Sequence, residues 1–265
     1  GEGEEALEAF EKTLKRDPGH GAAWYNKGCI LNGLGRPEEA VEAFDHALGI
    51  DPGNAQAWNN KGGALLGLGR AAEAAEAFRR VVEATPGHGP AWYNLGLAEM
   101  DLGNYAGAAE AFEKALDINP SLAEGWYQKG VSHERLGQHA EAIGCYDRAI
   151  ALSPDDSQTW FRKGVALAAL GKGADAIESL EGAVSLDPGD AEGWYRLGLV
   201  LMEARAYDRA LDSFTQALEL QLEDGRLWFE SGLALEALEH PGEALQAFLR
   251  SVGFEPGNLD ASRYR

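Results

Sequence analysis

Tryptophan recurs every 34 residues along this chain, at Trp24, Trp58, Trp92, Trp126, Trp160, Trp194 and Trp228. Self-similarity at a period of this size requires a stack of short identical units, because one unit that small cannot bury its own apolar faces. The blocks around the tryptophans read WYNKG, WNNKG, WYNLG, WYQKG, WFRKG, WYRLG and WFESG. Sixteen residues downstream stands an alanine each time (Ala40, Ala74, Ala108, Ala142, Ala176, Ala210, Ala244). Four further on comes a large residue: Phe44, Phe78, Phe112, Tyr146, Leu180, Phe214 or Phe248. Proline closes most units, and Leu222 replaces it once.

Trp and Gly stand four apart, as do Ala and the large residue, so each pair shares one face of a helix. Every unit is therefore two helices. Gly28, Gly62, Gly96, Gly130, Gly164, Gly198 and Gly232 lie inside the first of them, where each costs about 1 kcal/mol relative to alanine. Close approach of the two helices accounts for a cost incurred so regularly. Turns such as Leu34-Gly35-Arg36-Pro37 place Gly past one helix end and Pro at the next start. DPGN (51–54) and DPGD (187–190) stop one helix and cap the next. First helices are expected near 21–34, 55–68, 89–102, 123–136, 157–170, 191–204 and 225–238. Second helices are expected near 37–50, 71–84, 105–118, 139–152, 173–186, 207–221 and 241–254, with an orphan second helix at 4–16.

These residues resemble the tetratricopeptide (TPR) pattern W-x2-L-G…A-x3-F…P. The resemblance covers nearly the whole chain and implies an all-α fold, a right-handed superhelical solenoid of helix-turn-helix repeats. The division is a half repeat at 1–20, seven repeats (21–54, 55–88, 89–122, 123–156, 157–190, 191–224, 225–258) and a tail at 259–265. One departure is systematic: Lys27, Lys61, Lys129 and Lys163 fill a slot usually held by leucine. Their stems are expected along the core edge with the amines in water. The sixth repeat has Arg205-Ala206 where earlier repeats have glycine at the turn, and it ends Gln221-Leu222-Glu223-Asp224. The junction into the seventh repeat is the expected place of altered geometry.

Composition narrows the function. Lys plus Arg number 23 against 43 Asp plus Glu, a net charge of −20. That is the wrong sign for nucleic acid or an anionic membrane surface. There is no signal peptide at the start, so the chain reads as cytoplasmic or as a piece of a longer protein. Cys29 and Cys145 stand apart, and none of the six histidines makes a metal motif, His133 and His139 included. No cofactor, metal or catalytic residue is expected.

In the family, first helices line a groove that binds extended peptides. The resemblance carries that role to the slot after each tryptophan (Tyr25, Tyr93, Tyr127, Phe161, Tyr195) and the next one (Asn26, Asn60, Asn94, Gln128, Arg162, Arg196). Leu97 and Val131 follow three slots further along. Amides suit this work because each offers a donor and an acceptor to any peptide backbone. Asn26, Asn60 and Asn94 resemble the asparagine ladder of the TPR domain in O-linked N-acetylglucosamine transferase. The two-carboxylate clamp of co-chaperone TPR domains is not matched. The implied function is a non-enzymatic interaction scaffold for an extended or short helical protein segment. The alternatives are a structural spacer that self-associates end to end, and a regulatory domain cut from a larger enzyme.

Two further expectations concern irregular slots. Glu99 and His133 replace a leucine that recurs elsewhere, so Glu99 should pair with His133 or Lys129. At the ends, part of the face carrying Phe10 and Leu14 should lack its normal cover, and Leu249 replaces a slot that is polar in earlier repeats. The ends are therefore expected to self-associate or to continue into further repeats.

Overall fold

The computed structural model describes residues 1–220 and 224–253. The described residues form fifteen helices: α1 (Glu2–Arg16), α2 (Gly21–Gly33), α3 (Pro37–Ile50), α4 (Ala55–Gly67), α5 (Ala71–Ala84), α6 (Gly89–Asp101), α7 (Tyr105–Ile118), α8 (Ala123–Arg135), α9 (His139–Leu152), α10 (Ser157–Ala169), α11 (Gly173–Leu186), α12 (Ala191–Glu203), α13 (Tyr207–Leu220), α14 (Gly225–Ala237) and α15 (Pro241–Ser251). The architecture is an all-α helical-repeat solenoid. Expected helix ends fall within a few residues of these. Leu222, Pro256, the 221–223 junction and the tail at 259–265 lie outside the described residues.

The chain divides after Leu136 into two compact units. In the first, consecutive helices from α1 to α8 pack as neighbours, and α2 also touches α4, as α4 touches α6. In the second, consecutive helices from α9 to α15 pack likewise, with α10 against α12 and α12 against α14.

Within each unit the hairpins are held by the glycine and the large residue that the sequence singles out. Phe44, Phe78 and Phe112 are fully buried in the first unit, as are Tyr146, Leu180 and Phe214 in the second. Phe44, Phe78, Phe112, Leu180 and Phe214 fit because glycine faces them. A Cβ on Gly62 would lie 2.7 Å from the Phe78 ring, closer than packed atoms approach. The turn glycines adopt positive φ, Gly35 at 74° and Gly69 at 70°. Arg205 and Glu239 take the same conformation at 59° and 63°, a left-handed geometry that a Cβ disfavours. Arg205 stands out in the sequence because glycine is missing from its turn, and Glu239 replaces the same glycine.

The tryptophans are half buried, and their indole nitrogens are put to use. Trp24 donates to the Pro18 carbonyl at 2.9 Å, and the next five repeat the bond to Pro52, Pro86, Pro120, Pro154 and Pro188. Each Trp thereby ties down the turn that precedes it. Asn54 caps α4 by accepting from Ala57 N at 3.0 Å, as expected. Asp190 makes no side-chain cap bond, whereas His20 and His88 cap α2 and α6 through Nδ1.

The N-terminal face expected to be partly uncovered is sheltered at Leu14 and only half sheltered at Phe10. Leu7 and Leu14 are buried and Phe10 is half buried, because α1 lays that face on α2. Leu249 is also half buried. The exposed apolar groups of α15 and its end are instead Leu245, 60% exposed, and Val252, 72% exposed.

Candidate functional site

At 3.6 residues per turn, the slots one, two and five after each tryptophan fall within about 100° of arc on one face of the first helices. In the first unit the Tyr25 ring tilts against Phe44, 6.1 Å between centroids. Its hydroxyl accepts from Asn60 Nδ2 at 3.1 Å, and the same nitrogen lies 3.4 Å from Cys29 Sγ. Burial, then the bond to Cys29, raises the Tyr25 pKa above its usual value. Asn60 therefore spends its donor group inside the protein. Its Oδ1 accepts from Asn59 at 3.4 Å, while the Asn59 carbonyl oxygen is buried without a partner. Asn26 is exposed and Asn94 half buried, and neither amide is hydrogen-bonded among the described residues.

Tyr93 packs its ring on Phe112 at 5.5 Å. Burial, reinforced by Glu124, pushes its pKa up to about 12. Leu97 and Tyr127 are half buried. Gln128 donates to Glu124 at 2.7 Å, one turn back on α8. Val131 is buried, so it lies beneath this face rather than on it.

The second unit is built differently. Phe161, Arg162 and Tyr195 are half buried, and Tyr195 tilts against Phe214 at 6.2 Å. Arg196 is exposed and already paired with Glu192 at 2.7 Å. A cavity of about 480 Å3 lies beside them, lined by Tyr195, Arg226, Phe229 and Glu230 among others. Arg226 stands 5.6 Å over the Tyr195 ring and is held by Asp224 at 2.7 Å. Burial raises the Glu230 carboxyl above the usual carboxylate range, and burial followed by Glu230 raises Tyr195. Arg226, two residues before its tryptophan, was not picked out by the sequence pattern.

The opposite face of the first helices departs from the expectation of amines carried out to water. The lysine amines do not end free in water. Lys61 Nζ lies 5.1 Å from the Trp58 ring centre and 2.5 Å from Asp45, on the second helix of the preceding repeat. Lys27 meets Glu11 at 3.3 Å, Lys129 meets Glu113 at 3.3 Å, and Lys163 meets Asp147 at 2.7 Å, each over its own tryptophan. Each acid stands 16 residues before its lysine, which is the signal that could have found the pairs.

Ahead of the third repeat the charges are exchanged. Arg79 on α5 reaches Glu99 on α6, and Asn104 Nδ2 donates to the other oxygen at 2.8 Å. Glu99 thus finds partners, as a buried carboxylate must. They are Arg79 and Asn104, while the expected partner Lys129 is on Glu113. Ahead of the sixth repeat, Glu181 pairs with Arg209.

Among the described residues, no group of three or more His, Cys, Asp or Glu side chains could hold a metal ion. No helix there is long and apolar enough to cross a membrane.

Among curated proteins, none matches this sequence. Among solved structures, the chain is similar to YrrB, described as "a TPR protein with an unusual peptide-binding site". That match has 25% identity and a TM-score of 0.63 over 75% of this chain and 99% of that one. A MamA structure aligns at 23% identity and a TM-score of 0.59, over 60% of this chain and 93% of that one. The APC/C hetero-tetramer Cut9-Hcn1 aligns at 22% identity and a TM-score of 0.54, over 97% of this chain and 51% of that one. The tetratricopeptide repeat family model matches residues 1–55, 34–89, 59–123, 127–191 and 195–258. With the repeat geometry described above, that match makes this chain a member of the tetratricopeptide repeat family.

Proposed function

We propose that the chain is a protein-interaction scaffold, without catalysis, whose first helices in the first unit take an extended or short helical peptide segment. The observation that carries this reading is the unspent hydrogen-bonding capacity of Asn26 and Asn94 on a face that also bears half-buried Tyr25, Tyr93 and Tyr127. An amide that donates and accepts recognises a peptide backbone whatever its sequence. A half-buried ring beside it supplies apolar area without a large loss of side-chain freedom. The similarity to a TPR protein with a peptide-binding site supports the same class of partner. Asn60 has a positioning role, since its amide holds Tyr25 and Cys29.

The test screens the protein on an array of extended peptides, then titrates the best binder calorimetrically. Replacing Asn26→Ala and Asn94→Ala together removes two hydrogen bonds at ~0.5–1.5 kcal/mol each, a loss of about tenfold in affinity. Equal affinity of parent and double variant overturns the reading. In the second unit the equivalent slots hold Arg162, Arg196 and Glu230 rather than amides, and Arg196 is already paired with Glu192. An alternative, end-to-end self-association, is favoured by Leu245, exposed where the equivalent Ala75 of an interior repeat is fully buried. Light scattering distinguishes it: Leu245→Lys lowers the apparent mass under that reading and leaves it unchanged under the scaffold reading.

A further inference from the structure

Five intervals between successive second and first helices carry the ion pairs described above. Glu181 on α11 reaches past α12 to Arg209 on α13, and the interval between α13 and α14 carries none among the described residues. In that interval the acid slot is Thr215 and the lysine slot is Ser231. Both hydroxyls turn back onto their own helices, Thr215 to the Leu211 carbonyl at 2.8 Å and Ser231 to the Leu227 carbonyl at 2.7 Å. Neither reaches across. The space that a lysine stem fills elsewhere is here a cavity of about 390 Å3 between α13, α14 and α15. Trp228, Leu211, Leu218 and Leu235 line it, and so do two acids, Glu219 and Glu243, and one cation, Arg250.

We propose that this cavity is a docking pocket for a lysine side chain borne by a partner protein, a contact that goes beyond the peptide-binding face proposed above. The molecule itself displays the fit. In the first interval Trp24 stacks on His46, 4.1 Å between ring centres, and still has Lys27 5.5 Å from its ring centre, with Glu11 on the amine. In the seventh repeat Arg250 fills the His46 slot, 4.5 Å over Trp228, and the slot of Lys27 holds only the short Ser231, turned back onto its own helix. Glu219 stands four residues after Thr215, one turn along the same face of α13. A lysine entering over Trp228 therefore meets an apolar wall for its four methylenes, a ring for its cation and a carboxylate for its charge. The surrounding charge of −20 draws a basic segment and repels an acidic one.

The probe is the peptide acetyl-Gly-Gly-Lys-Gly-Gly-amide, titrated into the full chain while the Trp228 indole N–H resonance is followed. That resonance is assigned by its loss in Trp228→Phe. The lysine peptide should shift it saturably, and the norleucine peptide, which keeps the four-carbon stem but lacks the ammonium group, should bind about tenfold more weakly. Glu219→Gln should weaken lysine binding to a similar degree. Ser231→Lys supplies the missing side chain from within and should abolish the shift, with circular dichroism confirming that the variant is folded. Asn26→Ala with Asn94→Ala should leave it untouched, so failure of this pocket and failure of the peptide-binding face are separable. Equal binding of lysine and norleucine, a shift that persists in Ser231→Lys, or no shift at all overturns the proposal. An arginine peptide that binds better than lysine overturns its choice of occupant.

Discussion

The second and third repeats are neighbours built on one plan, and they distribute polarity in opposite ways. Ahead of the second repeat the sheltered partner is the cation: the Lys61 side chain is 16% exposed and Asp45 54%. Ahead of the third it is the anion: Glu99 is 7% exposed and Arg79 44%. On the other face, the second repeat puts Asn59 where the third puts Tyr93. The difference teaches that the backbone register is fixed by the Gly–Phe contact, common to both. The charge arrangement is free to invert provided each buried group keeps a partner. It also says which member of each pair can be removed cheaply.

The largest contrast lies in deleting the outer partner. Arg79→Ala leaves the Glu99 carboxylate buried with only Asn104, which should destabilise the protein by about 3 kcal/mol. Asp45→Ala leaves Lys61, whose flexible stem can carry its amine to water, and should cost under ~1 kcal/mol. Denaturant unfolding of both variants makes the comparison. Equal losses would mean that the sheltered charge is relieved by rearrangement in both intervals and that the inversion has no energetic consequence.

The sequence made the scaffold legible because its determinants are local and periodic. Trp58 and Gly62 define one helix face, Ala74 and Phe78 the other, and Gly69 at the turn sets where one helix stops. The pairs between repeats were harder to read. Lys61 and Asp45 are 16 residues apart on different helices, so the recurring spacing hints at a pair, and the relative rotation of α3 and α4 makes it one. Glu99 was recognised as a polar group in an apolar slot, but its partner lay on the preceding second helix rather than in the equivalent slot of the next repeat. The candidate site was legible in part. Tyr25 and Asn60 do share a face, yet successive first helices lie close enough for one to satisfy the other. The indole bonds from tryptophan to proline were within reach as a fixed six-residue spacing.

A second, smaller effect comes from Asn59. Tyr25 and Tyr93 tilt against the phenylalanine of their own second helix, whereas Asn59 offers no ring to Phe78 and leaves a carbonyl oxygen buried without a partner. Asn59→Tyr restores the aromatic pair and removes the unpaired acceptor, so stability should rise by about 1 kcal/mol. A lower melting temperature would show that the Asn59–Asn60 contact matters more than the missing ring.

Smaller again is Glu99→Leu, which gives the third repeat the residue that the first two carry as fully buried Leu31 and Leu65. The freed Arg79 is already half in water, so no charge is stranded. The change should lie between neutral and about 1 kcal/mol stabilising. Destabilisation by as much as Arg79→Ala would mean that the ion pair specifies this interval and is not merely tolerated in it.

The smallest effect is confined to high pH and tests the aromatic side of the same comparison. Burial holds the Tyr93 hydroxyl neutral up to about 12, against an unfolded value near ~10. The folded chain then keeps a proton that the unfolded chain loses across that interval. Stability from this group is fully present below pH ~10 and falls as pH rises toward about 12, because the unfolded state there binds fewer protons. Tyr93→Phe should flatten that part of the stability profile. It should also remove one late-ionising phenol from the absorbance titration of the native protein. Asn59→Tyr, placing a second phenol in the equivalent slot, should add one. If Tyr93 ionises alongside exposed tyrosines, its hydroxyl is solvated in the folded protein, and the second and third repeats differ less on this face than their packing indicates.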